Sequence, residues 1–249
     1  MSTDWPQGYG KRVLATVDST MAEAARIAPT LAGPEWVLGL QQTAGRGRRG
    51  RAWTDPQGNF AATLILQPDE PPAQVALRSF VAALALFDAF VTVTGQANGL
   101  SLKWPNDVLL NGGKVAGILL ESLGNTTVQY LAIGIGVNLA QSPPATDLED
   151  GALQPVSLMS SSGILVTPEE FLTALATAYA VYEQQFTTYG FAPIREKWLA
   201  RAAKLGQVIR ARTGTSDMTG TFETVDEGGN LVLSTAKGRV AIPAADVFF

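Results

Sequence analysis

Four apolar runs, at residues 100–104, 108–110, 114–121 and 128–139, constrain the fold most, because Asn111-Gly112-Gly113 and Gly124-Asn125 punctuate them. Short apolar or alternating runs separated by Asn-Gly and Gly-Asn signals are strands joined by tight turns, so this stretch predicts sequential antiparallel hairpins. Upstream, residues 13–17, 36–41 and 60–67 read as strands and residues 43–58 as a long glycine- and arginine-rich loop. Residues 21–28 read as a helix, and Thr20 with Glu23 has the spacing of a capping box at its start. The apolar stretch 73–94 carries Arg78 and Asp88 and stands well inside the chain, which predicts a buried helix over about 74–93 and not a membrane span.

Residues 141–154, with two prolines and three acidic side chains, read as a surface loop. Two further helices follow, one with Pro168 in its first turn and one over about 193–203 around Trp198. Beyond Leu205 the texture changes to short alternating runs at 207–212, 219–225, 230–234 and 239–242, separated by Gly214-Thr215-Ser216, Asp226-Glu227-Gly228-Gly229 and Lys237-Gly238. These predict a small β-barrel. Strands interrupted by helices without strict alternation make the larger part, residues 1–203, an α+β domain with a mixed or antiparallel sheet, and residues 204–249 a second, smaller domain.

Composition narrows the chemistry. The 249 residues include no cysteine and no histidine, which removes disulfides, thiolate catalysis, Ser-His-Asp triads and most zinc sites. An enzyme built from what remains must work by positioning, by Arg and Lys electrostatics, and by carboxylates with Mg²⁺, the requirements of phosphoryl or nucleotidyl transfer. A formal net charge of −4 argues against general affinity for nucleic acid. The first ten residues lack a basic region followed by an apolar run, so no secretory signal is expected and the cytoplasm is the default location.

Gly45-Arg46-Gly47-Arg48-Arg49-Gly50-Arg51 satisfies the letters of a dinucleotide-binding fingerprint. That fingerprint needs a helix to begin at the glycines, whereas Trp53-Thr54-Asp55-Pro56 continues as loop toward a strand, so it is rejected. The run suits a loop whose guanidinium groups clamp phosphate oxygens; a solvated basic loop or an arginine-glycine nucleic-acid arm is equally consistent with it alone. Lys103-Trp104-Pro105-Asn106-Asp107 groups a cation, an amide and a carboxylate at a strand end, although an isolated Pro-Asn-Asp is commonly only a turn. Lys114 follows the Asn-Gly-Gly turn, and Gly117 beyond it leaves room for a close approach. In Ile133-Gly134-Ile135-Gly136-Val137-Asn138, glycines open space beside a strand that ends in Asn138, with tight strand packing the plainer explanation. Ser19 and Thr20 serve as helix caps or as hydroxyls toward a polar ligand head.

In order and spacing, Asp18-Ser19-Thr20, the arginine loop with Gln42 before it, Lys103 to Asp107, Lys114 to Ile118 and Ile133 to Asn138 resemble the biotin–protein ligase family over nearly the whole chain. The resemblance implies a catalytic domain like that of class II aminoacyl-tRNA synthetases and a C-terminal SH3-like barrel. It implies a biotin–[acetyl-CoA-carboxylase] ligase activity, with biotinyl-5′-AMP made from biotin and MgATP and biotin then passed to a lysine of a carboxylase carrier domain. On the same ground, Ser19, Thr20, Gln42, Arg46, Gly47, Arg48, Lys114 and Gly117 would bind biotin. Arg48, Arg49, Arg51, Trp53, Lys103, Asn106, Asp107 and Asn138 would serve ATP, and Arg48 and Lys114 would be catalytic. Mg²⁺ would arrive with ATP, near Asp107. Met21 departs from relatives that carry asparagine after Ser-Thr. Some members begin with a DNA-binding winged helix, and the few residues before residue 13 predict a ligase of monofunctional type with neither DNA nor membrane as partner. A homodimer stays open. The rivals are a lipoate or other acyl-carboxylate ligase of the same fold, and a nucleic-acid-binding module.

Overall fold

The computed structural model describes residues 4–54, 56–123, 129–144, 153–214 and 216–249. It opens with β1 (Gly10–Leu14), α1 (Thr20–Ile27), β2 (Glu35–Gly39) and β3 (Phe60–Leu66). There follow α2 (Pro72–Val75), α3 (Arg78–Thr94), β4 (Leu100–Lys103), β5 (Asp107–Leu110), β6 (Gly113–Leu123) and β7 (Tyr130–Val137). These strands form one seven-stranded sheet in the order β1-β2-β3-β7-β6-β5-β4. Only β1 and β2 run parallel, and every other neighbouring pair is antiparallel, so the expected hairpin series holds from β4 to β7. The expected turn at Gly124-Asn125, most of the 141–154 loop and Thr215 lie outside the described residues.

Alternation along each strand assigns the two faces of the sheet. Trp36, Leu38 and Leu64 join the main core with α3 and the long helix α5 (Pro168–Tyr189), where Phe90 and Phe171 meet at 5.1 Å. Val37, Ile65 and Ala132 point the other way and pack under Met21, Ala24 and Ile27 of α1. The stretch 72–94 is long and apolar enough to cross a membrane by length and composition, yet 72% of an 18-residue window of it is buried inside the fold, because α3 packs against β4, β5 and β6 and against α5, which lies beside it on the sheet. It divides at Ala76–Leu77 into the single turn α2 and the helix α3, where one helix was expected.

Before α5 lies a short helix that sequence alone does not reveal, α4 (Leu158–Ser162), capped by Ser157. Helix α5 has a full capping box from Thr167 and Glu170, and α6 (Phe191–Leu199) completes the helical layer. The capping box expected at Thr20 is absent: Ser19 is the N-cap and makes no side-chain cap bond, Glu23 pairs with Arg26, and the Thr20 hydroxyl is taken by Gln42. The first strand also sits three residues earlier than expected, and Val17 makes only an isolated bridge to Gln42.

The C-terminal segment forms β8 (Val208–Arg212), β9 (Asp217–Val225), β10 (Leu231–Thr235), β11 (Gly238–Ile242) and a fifth strand not anticipated, β12 (Asp246–Phe248). They make an antiparallel sheet ordered β11-β10-β9-β8-β12, with no ladder joining β11 to β12 among the described residues. Its inner side chains, Phe222, Leu231 and Leu233 among them, belong to the same hydrophobic cluster as Leu77 and Phe80 of the larger part. Trp104 Nε1 donates to Gly229 O at 3.0 Å across that junction.

Candidate active site

Strand register builds the floor of a cleft. Gly39 pairs with Ala61, Ala61 with Gly136, Gly136 with Gly117, Gly117 with Asp107 and Asp107 with Lys103, so one row across six strands carries almost no side-chain bulk until it reaches its charged end. The result is a cavity of about 610 Å³ on the face shared with α1. At one end of the row Thr20 and Gln42 meet: the Thr20 backbone N–H donates to Gln42 Oε1 at 2.9 Å. They stand twenty-two positions apart in sequence, and the parallel continuation of β1 and β2 brings them together.

At the other end, Asp107 is buried between two cations, with Lys114 Nζ at 2.7 Å and Lys103 Nζ at 3.6 Å. Burial pushes the Asp107 carboxyl up, but Lys114 and Lys103 outweigh it and hold the group below the usual carboxylate range. Burial pulls the Lys103 ammonium down, an effect the Asp107 charge only partly offsets. One carboxylate thus keeps two ammonium groups side by side at the cleft wall, where an anion would complete the charge balance.

The arginine segment covers this row as a small hairpin. Gly47 N donates to Arg51 O at 2.7 Å, Trp53 N donates to Gly45 O at 2.9 Å, Arg46 bridges to Ala52, and a 3₁₀ turn at Arg48–Gly50 reverses the chain. Arg49 sits in the left-handed region at φ 56°. The guanidinium groups diverge: Arg46 pairs with Glu121 at 2.8 Å, Arg48 donates to Asn106 Oδ1 at 3.2 Å, and Arg49 pairs with Asp246. Trp53 seats its indole over Gly136, and an added Cβ there would collide with the ring. Lys114 Nζ stands 6.0 Å from the centre of that ring.

The structure brings together Ser19, Thr20, Gln42, Arg46, Gly47, Arg48, Arg51, Trp53, Lys103, Asn106, Asp107, Lys114, Gly117 and Asn138 around the one cleft. Arg49 is the exception and turns out to Asp246 of β12. Asn138 is buried and its amide donates to Val156 O at 3.1 Å, which ties down the segment after β7. Asn106 does likewise for β6 through Ile118 O at 2.6 Å. Sequence reasoning missed Asp246, Val247 and Phe248, which also line the cleft. A three-residue strand at a chain end carries too little periodicity to signal itself.

Among the described residues no group of three or more His, Cys, Asp or Glu could hold a metal ion. A divalent ion that keeps most of its water and rides on a triphosphate needs no such cage. Of the carboxylates lining the cleft, Asp107 is already paired with Lys114 and Lys103 and Asp246 with Arg49.

A family model described as the biotin/lipoate A/B protein ligase family matches residues 12–138, and one described as the biotin protein ligase C terminal domain matches residues 204–249. The chain belongs to the biotin/lipoate protein ligase family. It is 58% identical over 238 residues to the biotin–[acetyl-CoA-carboxylase] ligase of Paracoccus denitrificans, covering 95% of this chain and 99% of that one. It is 33% identical to the bifunctional ligase/repressor BirA of Bacillus subtilis, covering 85% of this chain and 65% of that protein. The biotin protein ligase of Aquifex aeolicus, solved in complex with biotin and ATP, superposes with a TM-score of 0.81 at 25% identity over 96% of this chain and 97% of that one.

Proposed function

We infer that this protein is a biotin–[acetyl-CoA-carboxylase] ligase, which condenses biotin with MgATP to biotinyl-5′-AMP and transfers the biotinyl group to a lysine of a carboxylase carrier domain. The observation that carries the reading is the row from Thr20 and Gln42 to Lys114, Asp107 and Lys103 under the arginine hairpin. It offers hydrogen-bonding groups for a ring at one end, an apolar middle for an alkyl chain, and cations where a carboxylate meets a phosphate. The 58% identity to the Paracoccus ligase supports the same substrates.

We assign the ring end to Ser19, Thr20 and Gln42, and the covering role to Arg46, Gly47 and Arg48. Trp53, Asn106, Asp107 and Asn138 take the nucleotide side, with Arg51 and Lys103 toward the phosphates, while Arg49, turned out to Asp246, is left without a phosphate role. The biotin carboxylate oxygen attacks the α-phosphorus of ATP, the bond to the bridging oxygen breaks and pyrophosphate leaves. No enzyme nucleophile is required, which fits a chain without cysteine or histidine. Lys114 and Arg48 oppose the charge that grows on the phosphoryl oxygens, and the arginine hairpin shields the mixed anhydride from water. The carrier lysine then attacks the biotinyl carbonyl and AMP departs. We place this activity in the cytoplasm, with residues 1–203 the catalytic unit and 204–249 a smaller unit whose last strand lines the cleft.

Incubation with biotin, MgATP and an acetyl-CoA carboxylase carrier domain tests the reading. One biotinyl adduct on the carrier lysine, detected by mass, is the expected product; an unmodified carrier with biotin and ATP both unconsumed contradicts it.

A further inference from the structure

Beneath the ring end of the cleft lies a polar side chain that no part of the proposed mechanism uses. Thr63, in the middle of β3, is completely buried and does not line the cavity. Its neighbour across the ladder is Gly134 of β7, and the Met21 side chain fills the space that glycine leaves. Thr63 Oγ1 lies 2.9 Å from Thr20 Oγ1, which lies 3.2 Å from Gln42 Oε1.

The direction of every proton in this chain is forced. The Thr20 backbone N–H can only donate, so the Gln42 atom facing it at 2.9 Å must be the acceptor Oε1. An amide oxygen cannot donate, so the Thr20 hydroxyl gives its one proton to the same Oε1. Having spent that proton, Thr20 can only accept from Thr63, and the Thr63 hydroxyl is the donor that starts the relay. Opposite, Gln42 Nε2 lies under the arginine hairpin, where a Cβ on Gly45 would stand 2.9 Å from it. A ligand entering the cleft therefore meets the donor end of this amide and the one lone pair of Thr20 that Thr63 leaves.

We propose that Thr63 is a positioning residue for substrate specificity: its buried hydroxyl holds the Thr20 hydroxyl proton on Gln42 Oε1 and so reinforces, beside the Thr20 backbone N–H, the polarity that presents N–H donors to a carbonyl acceptor such as the ureido oxygen of biotin. It rests on the orientation proposed above, with the ring toward Thr20 and Gln42. Valine in place of threonine keeps the shape and removes the donor, leaving the Thr20 hydroxyl able to turn and the Gln42 amide held in its polarity by the Thr20 backbone N–H alone.

The test is biotin-dependent ATP–pyrophosphate exchange by wild type, Thr63→Val and Thr63→Ser, with biotin and with 2-iminobiotin, whose guanidinium replaces the carbonyl acceptor by a donor. Loss of one hydrogen bond is expected to raise the biotin KM of Thr63→Val about five- to tenfold with kcat and the ATP KM little changed. Thr63→Ser, which keeps the hydroxyl, should restore the biotin KM. The preference for biotin over 2-iminobiotin should narrow in Thr63→Val by a similar factor. An unchanged biotin KM in Thr63→Val, an equal impairment in Thr63→Ser, or an undiminished preference for biotin overturns the positioning role. Absence of biotin-dependent exchange in the wild type instead overturns the ligase reading on which it stands.

Discussion

On the proposed mechanism Lys114 and Arg48 oppose the charge that develops, and each should matter through a preorganised contact and not through folding. Lys114 keeps Nζ against Asp107 at 2.7 Å, and Arg48 reaches Asn106 from the hairpin. Removing one such donor typically costs about 3 kcal/mol in the transition state, roughly a hundredfold in rate. Lys114→Met is therefore expected to lower kcat for adenylate formation by about two orders of magnitude, while Arg48→Ala should also release its adenylate into solution. Single-turnover quench experiments read both, and a retained adenylate in Arg48→Ala would deny the hairpin its shielding role. Lys103 provides a pH test. Burial lowers its ammonium, so it loses its proton at a lower pH than a free lysine, and the KM for ATP should climb on the alkaline side accordingly. Lys103→Arg, which stays charged, should flatten that climb; an alkaline KM profile identical in the two proteins contradicts the assignment. These side chains were legible because charged and amide groups stand out in short motifs. Thr63 was not legible, since a lone threonine inside an apolar run looks like any strand residue, and Arg49 was grouped with its neighbours because sequence does not say which way a guanidinium points.

At the scale of elements, glycines at the centre of β6 and β7 decide whether the cleft exists. A methyl at Gly136 would intrude on the Trp53 indole, and the central strand β7, hydrogen-bonded on both sides, has no room to yield. Gly136→Ala should fold with a loss of about 1–3 kcal/mol from overpacking and should displace Trp53, raising the KM for ATP and altering the tryptophan emission. Unchanged emission and KM would show that the indole is not seated there in solution. Sequence periodicity located these strands to within a few residues because the turns between them carry glycine and asparagine signals. It missed α4 and β12, which are five and three residues long, and it misread the start of α1, where a tertiary partner, Gln42, claims the hydroxyl that local spacing assigns to a cap.

The whole molecule is held partly by an ionic knot remote from the cleft. Arg78, with a side chain only 3% exposed, bridges Glu70 and Glu183 at 2.8 Å each, while Glu183 also accepts from Tyr179. Withdrawing the cation leaves Glu183, 13% exposed, without its charge partner, so Arg78→Met should destabilise the protein by about 3 kcal/mol with the KM values for biotin and ATP unmoved, as denaturant titration and kinetics will show. The continuous hydrophobic cluster joining the two sheets was beyond sequence reasoning, because it depends on which loops meet across the junction at Gly229 and Trp104. The order of elements and the family they define were nonetheless plain from motif spacing. The central claim is that this single cleft activates biotin with ATP, and ATP–pyrophosphate exchange with the purified protein tests it most directly. Exchange that depends on biotin and not on lipoate is the predicted result; exchange driven by lipoate alone, or by neither acid, would contradict it.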